Sequence, residues 1–462
     1  MNKPNGNPLP KIASGLALAM GICSQAQAQS ADALIDKLVE KGVLSVKEAN
    51  QLREESDQNF TKAYSTKTGM PDWVSSFKWN GDFRGRFEEN NADNNTYHPR
   101  DRYRYRARIG ATVSFLDGFE VGLRLASGNP QFNPGGTLVG GAPITANQDL
   151  NSLESRKFIW IDAAYAKWTP VRNADWTLTG IIGKMDNPFQ LSNMIWDYDI
   201  APEGAAVQLA YNLNAQHALK LNTAAFVLDE VNQSASGLAT VAPSHDPYLL
   251  GGQVLFESKW TPKFDTSLGL AAFAINSKDA LSSKVQPFYN SGNTRIAATG
   301  LLKYNYNPII GTAAATYKLD SFPLYEGAFP IKVSGELMEN PDAPKANDAF
   351  RLGLSLGKAG HKNAWEINYR YQRLEADAWF DALVDDDNGA FYATGNSQMV
   401  GTGKASGWFG GTNVKGHLIQ ATYSFTDYLN FTFTFYLNDL IKETPGKVST
   451  AQHFMADLMW KF

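Results

Sequence analysis

The sequence predicts an all-β protein: an antiparallel transmembrane β-barrel of about sixteen strands with a short N-terminal helical segment before it. Three observations predict this. From residue 77 onward, segments with a two-residue alternation of apolar and polar side chains follow one another to the end of the chain. The connections between them alternate between short turns and long polar loops. Aromatic residues cluster beside the short turns, and the last segment ends on Phe462.

The N-terminus reads as a signal peptide over 1–28. Lys3 and Lys11 supply the positive region, 12–22 the short apolar core, and Ala26-Gln27-Ala28 the cleavage site. The one cysteine, Cys23, lies inside this segment, so disulfides, thiolate catalysis and cysteine metal ligation are excluded from the mature chain. Residues 29–58 read as a periplasmic helical segment, which would serve as an oligomerisation element, as a plug or cap on the barrel, or as an amphipathic tail. Leu34, Ile35, Leu38 and Val39 share one helical face, Gly42 is a stop, and Ser45 with Glu48 makes a capping box for a second helix. A linker covers 59–75 and the barrel 76–462.

The stretch 100–115, RDRYRYRARIGATVSF, shows most clearly why a membrane is invoked. Tyr103, Tyr105, Ala107, Ile109, Ala111, Val113 and Phe115 share one face; Arg102, Arg104, Arg106 and Arg108 share the other. Its sixteen residues would span about 53 Å at about 3.3 Å per residue, well beyond an ordinary globular strand. Across a bilayer the apolar face meets lipid and the arginines line a water-filled interior. Comparable alternation runs from Phe77 to Glu88, over 119–125, over 363–376 and over 429–440, while 156–169 is ambiguous in phase and 295–319 holds one strand or two. Sixteen segments result. The short connections fall near Asp117-Gly118, 170–174, Asn214-Ala215, 261–263, 320–329, 359–362 and Thr426-Asp427. The long ones are 90–99, 128–155, 186–203, 230–246, 277–306, 377–413 and 441–449, and only 341–346 breaks the length rule. A soluble sandwich has no reason to sort its loops in this way.

Composition narrows the function classes. A net charge of −4 gives no nucleic-acid signature, and a mean hydropathy of −0.32 fits no helical membrane protein. No G-x-S-x-G, Walker A or H-E-x-x-H sequence occurs, and the six histidines are scattered, so no catalytic set, metal site or cofactor is expected. The chain is read as a non-enzyme.

The chain resembles a Gram-negative outer-membrane porin, and more closely the family known as "putative porin". The resemblance rests on ADALIDKLVEKGVLSVKEANQL before the barrel, on WNGDFRGRFEE followed by RDRYRYRARIGATVSF, and on GKMDNPF (183–189) followed by IWDYDIAPEG (195–204). It implies passive diffusion of small hydrophilic solutes through a barrel in the outer membrane, with lipid and lipopolysaccharide around it. It also implies a homotrimer, and a loop after the fifth strand that folds inward. That loop carries Asp197, Asp199 and Glu203, which would face a lumenal wall of Arg84, Arg86, Arg102, Arg104, Arg106, Arg108 and Arg124. Such a wall predicts anion preference. Pairing of these arginines with lumenal carboxylates predicts balance instead. A channel specific for acidic sugars or phosphate, and a non-conducting adhesin or structural barrel, are the rival readings. The run Asp385-Asp386-Asp387 is expected at a solvated loop tip.

Overall fold

In the computed structural model of the chain, residues 71–93, 99–132, 136, 138–230, 245–281, 292–296, 299–392, 407–443 and 448–462 are described. The expected signal peptide and helical segment, and the linker up to residue 70, lie outside them. Phe77–Phe462 forms a compact unit, which holds the barrel.

Sixteen long strands form the wall: β1 Val74–Ala92, β2 Arg100–Phe115, β3 Phe119–Ser127, β4 Ile159–Arg172, β5 Trp176–Lys184, β6 Glu203–Asn212, β7 His217–Val227, β8 Tyr248–Thr261, β9 Phe264–Asn276, β10 Ile309–Leu319, β11 Phe329–Glu339, β12 Asp348–Gly357, β13 Trp365–Leu374, β14 Val414–Ser424, β15 Leu429–Leu440 and β16 Ala451–Lys461. Each pairs with its sequence neighbour, antiparallel in every register given. β16 returns to β1, with Asp82 opposite Lys461 and Ala92 opposite Ala451. The sheet therefore closes and has no edge to leave backbone groups unpaired in lipid. A final hydrogen-bond pair between Gly81 and Phe462, at 2.9 and 3.1 Å, ties the C-terminal residue into this seam.

All sixteen expected strands are present, with ends shifted by a few residues. The ambiguous phase at 156–169 has a physical cause. Between β3 and β4 the register slips at Arg124/Leu125, so that Arg124 faces Ala163 and Leu125 faces Ile161. Asp162 is the extra residue of a bulge, and a bulge inverts the side-chain phase along the strand. The region 295–319 holds one long strand, β10, preceded by a loop with an isolated bridge between Arg295 and Leu302.

The two faces sort as the alternation requires. On β2, Tyr103 is 63% exposed on the outside, whereas Arg104 and Arg106 are each 6% exposed on the inside. Exposed Leu123, Leu268, Leu270, Leu337, Leu352 and Ile419 continue the outer apolar surface around the barrel. At the short-turn end lie exposed Trp168, Trp176, Trp260, Phe425, Tyr428 and Phe462, with Trp168 stacked on Phe119 and Trp176 on Tyr211 at centroid distances of 5.4 and 4.2 Å. These residues form an aromatic girdle beside the short turns, where the sequence clusters its aromatics.

The largest apolar core sits inside the barrel. Loop 185–202 contributes Met185, Phe189, Met194, Ile195 and Trp196; loop 277–308 contributes Leu281, Leu302 and Tyr306; loop 375–413 contributes Trp379, Phe380, Leu383 and Val384. They pack on wall residues such as Phe226 of β7, Phe273 of β9, Ile310 of β10 and Leu374 of β13. One side of the lumen is thus filled by docked loops, and the arginine strands β1 to β3 lie elsewhere on the circumference.

Candidate pore constriction

Loop 185–202 enters and leaves the lumen at a glycine pair. Gly183 of β5 stands opposite Gly204 of β6, with φ of +108° and +152°. A Cβ on Gly183 would lie 2.4 Å from the Ala164 carbonyl oxygen, and one on Gly204 would lie 2.1 Å from that of Ala225. Only glycine permits both the backbone angle and the approach. The loop is then anchored by the side chain of Gln253 on β8, which accepts from the Gln190 N–H and donates to its carbonyl, each at 2.9 Å. Glu336 on β11 takes the Ser192 N–H at 3.0 Å and the Ser192 hydroxyl.

Loop 375–413 docks beside it. The Trp379 indole N–H donates to the Ile195 carbonyl at 2.8 Å, and the Asp197 N–H donates to the Leu383 carbonyl at 2.8 Å. Asp377 accepts from Thr294 and from the Tyr306 hydroxyl at 2.9 Å, which joins the third loop to the same body. Arg370 of β13 binds Asp385 at 3.0 Å. The Asp385-Asp386-Asp387 run is therefore inside the barrel, with Asp385 buried, and not at a solvated tip. The signal for this was in the sequence: Trp379, Phe380, Leu383 and Val384 give the loop an apolar content that a solvated loop has no use for.

All seven predicted arginines are brought to the lumenal wall, and each meets a carboxylate. Arg84 lies 3.8 Å from Asp457 and donates to Asn147 at 2.7 Å. Arg86 forks onto Asp457 at 2.7 and 2.9 Å and reaches Asp387 at 3.4 Å. Arg102 and Arg104 share the fully buried Glu88, the latter at 3.1 Å, and Arg104 also binds Asp149 at 2.8 Å. Arg106 and Arg108 share Asp82 at 2.9 and 2.7 Å. Arg124 binds the bulged Asp162 and Asp186, the latter at 2.8 Å. His453 of β16 completes the Glu88 cluster at 3.2 Å. Burying a guanidinium without a counter-charge costs several kcal/mol, which is the physical reason that each of these arginines has a carboxylate beside it.

The three acidic residues that the sequence singles out, Asp197, Asp199 and Glu203, have three different placements. Asp199 crosses to the arginine wall, 3.3 Å from Arg106 and 3.9 Å from Arg108. Burial alone would raise its carboxyl, but Arg106, Arg84, Arg108 and Arg86 outweigh burial and hold it below the ordinary carboxylate range. Asp197 turns instead toward loop 375–413, where its carboxylate and those of Asp385 and Asp386 have oxygens within 4.8 Å of one another. Glu203 sits at the start of β6 and binds Lys184 at 3.0 Å, away from the arginines. The arginine wall and these two loops therefore touch through Asp186, Asp199 and Asp387. Sequence reasoning missed Asp387, Asp457, Arg370 and His453; the first two meet Arg86 across separations of 301 and 371 positions, and the other two meet Asp385 and Glu88.

A closed sixteen-strand antiparallel barrel with a loop folded inward after its fifth strand defines the bacterial outer-membrane porin fold. Within that class, residues 89–303 match the family described as "Putative porin". Among solved structures, the chain is similar to OprB of Pseudomonas putida in a high-pH structure, at 11% identity and a TM-score of 0.50, covering 88% of this chain and 97% of that one. It is also similar to OmpF of Salmonella typhi in complex with daunomycin (11% identity, TM-score 0.44, 84% and 97% covered) and to a triple mutant of Rhodopseudomonas blastica porin (9%, 0.38, 84% and 100%). The likeness to OprB supports the fold alone. No curated protein matches the sequence.

Proposed function

We propose that this protein is an outer-membrane porin for passive diffusion of small hydrophilic solutes. The observation that carries this reading is the loop 185–202 inside a closed barrel, with Asp199 set against Arg106 and Arg108. No bond-making set of residues is needed; passage is governed by width and by charge at the constriction. On this reading solutes pass between the arginine wall and the acidic edge of the docked loops. Guanidinium on one side and carboxylate on the other make a transverse field, which orients dipolar solutes without favouring one ion sign strongly.

Carboxylates offset the charge of the arginine wall, so little of the anion preference expected from its arginines is left. Among the described residues, the seven arginines face eight carboxylates: Asp82, Glu88, Asp149, Asp162, Asp186, Asp199, Asp387 and Asp457. Reversal potentials of single channels in a salt gradient test this. Weak anion selectivity that declines in Arg104→Ala with Arg106→Ala is expected. Cation selectivity in the wild type, or no shift in the double variant, overturns it. Saturable block by a phosphate or an acidic sugar would establish a solute-specific channel instead, and purified barrels without conductance would establish a structural or adhesive role.

A further inference from the structure

The seven arginines of β1 to β3 are committed to carboxylates, but Arg351 of β12 is not. It stands opposite Glu336 of β11 on the inner face of the barrel. Its guanidinium lies 3.7 Å from the Glu336 carboxylate, and among the described residues it donates no hydrogen bond. Its Nε is buried without a partner, while the side chain as a whole keeps 19% exposure. Glu336 is itself occupied, accepting the Ser192 N–H at 3.0 Å and the Ser192 hydroxyl. Loop 185–202 brings Tyr198 toward the same charges. The residues on either side of it are tied, Asp197 to loop 375–413 and Asp199 to Arg106 and Arg108. Tyr198 is 73% exposed, whereas Trp196 of the same loop is at 1%. Arg351 and Arg370 act on Tyr198 electrostatically, as do Glu336 and Asp385. Yet among the described residues Tyr198 makes neither a hydrogen bond nor a ring contact.

We propose that Tyr198 and Arg351 form a weak binding subsite for aromatic monocarboxylates. A planar carboxylate accepts two parallel N–H donors from the guanidinium fork, and Arg351 has that fork unspent. A flat ring carried on the same solute stacks on the open face of the Tyr198 phenol. The solute carries one negative charge only, because Glu336 and Asp385 stand near enough to repel a second. A sugar fits less well. The polar side chains of the loop beside Tyr198 are already used, Ser192 on Glu336 and Asn193 on Arg370 and Asp385. Sugar hydroxyls would lose water there without finding partners, and an aromatic ring has no hydroxyls to satisfy. That the subsite lies on a solute path rests on the channel reading; that it is occupied does not.

The choice of Arg351 over the arginine wall follows from what each would give up. Arg86 forks onto Asp457 at 2.7 and 2.9 Å, and Arg106 and Arg108 bind Asp82 at 2.9 and 2.7 Å. A solute anion there must displace a hydrogen-bonded carboxylate that remains beside it. Arg351 can turn to a solute without breaking a hydrogen bond, and Glu336 keeps its two from Ser192. Glu336 still competes for the guanidinium charge, so occupancy is weak, with a dissociation constant on the order of 1 mM. Weak occupancy leaves passage passive.

Binding is measured by saturation-transfer NMR on the ring protons of sodium benzoate, with purified full-length protein in detergent at constant ionic strength and empty micelles as the blank. Acetate, benzyl alcohol, phosphate and glucuronate serve as competitors. Benzoate should bind saturably, and each competitor should be at least about tenfold weaker, because each lacks the ring, the carboxylate or both, or brings hydroxyls. Arg351→Gln should weaken benzoate by about tenfold or more. Tyr198→Ala should weaken it by about threefold to tenfold, and Tyr198→Phe, which keeps the ring face, should restore it. Heat-modifiable migration confirms that the variants are folded barrels. In planar bilayers benzoate should lower the wild-type conductance with the same half-saturation, and less so in the two weakened variants. Unchanged affinity in both Arg351→Gln and Tyr198→Ala overturns the subsite. So does phosphate, acetate or glucuronate competing as well as benzoate. Conductance without saturable binding refutes the subsite and leaves the channel standing; saturable binding without conductance refutes the channel and leaves the subsite standing.

Discussion

The docked loops make Trp379 the most informative single side chain. It is fully buried, packs 5.4 Å from Phe273 of β9, and donates its indole N–H to the Ile195 carbonyl. Truncating a buried tryptophan to alanine costs about 3–5 kcal/mol. Leaving the Ile195 carbonyl unpaired adds about 1–3 kcal/mol. The ladder of the barrel touches neither group, so the loss falls on docking. Even about 3 kcal/mol changes a two-state docking equilibrium by roughly a hundredfold. Trp379→Ala should therefore raise single-channel conductance and open-channel noise while unboiled protein keeps its folded migration. Trp379→Phe keeps most of the packing and loses mainly the hydrogen bond, so its effect should be clearly smaller. Wild-type conductance and noise in the alanine variant would refute the reasoning, because loop 375–413 would then not bound the path.

Other substitutions probe separate parts of the site. Asp82→Asn leaves Arg106 and Arg108 with Asp199 alone and should move the reversal potential toward anions. Glu88→Gln strips the buried counter-charge from Arg102, Arg104 and His453; breaking such a cluster costs about 3–5 kcal/mol, read as a lower heat-modifiability temperature. Gly204→Ala places a methyl against the Ala225 carbonyl at a positive φ, costing about 1–3 kcal/mol of backbone strain before any clash, and should disturb loop entry enough to broaden the conductance distribution.

Much of the wall was legible because its code is local. Alternation along β2 assigns Arg104 inward and Tyr103 outward with no knowledge of partners, and loop parity counts the strands. Where local reading faltered, at 156–169, the cause was Asp162: one extra residue changes the phase, and nothing nearby marks it except the later need of Arg124 for a partner. The lumen was less legible because its contacts are decided by closure of the barrel. Asp457 becomes the partner of Arg86 only when β16 lies beside β1, and Asp385 becomes buried only when Trp379 and Leu383 find Trp196, Ile195 and Phe273.

The same closure changes what the arginines can do. Read along β2, four arginines in alternate positions are an excess of positive charge. In the closed barrel, Glu88 and Asp82 on β1 stand between them, and Asp149, Asp199, Asp387 and Asp457 arrive from distant parts of the chain. An arginine already bound by a carboxylate attracts a passing anion only by exchanging partners, and the exchange gains little because the displaced carboxylate remains nearby. On the proposed channel reading, selection by sign is therefore the weaker property of this wall. The stronger one is mechanical: Arg106 and Arg108 hold Asp199, and Arg86 holds Asp387, so the arginines tie both loops to the wall. Removing Arg86 should then affect pore width more than ion preference, and conductance measured beside reversal potential for Arg86→Ala separates the two. A large change in reversal potential at constant conductance would reverse this assignment.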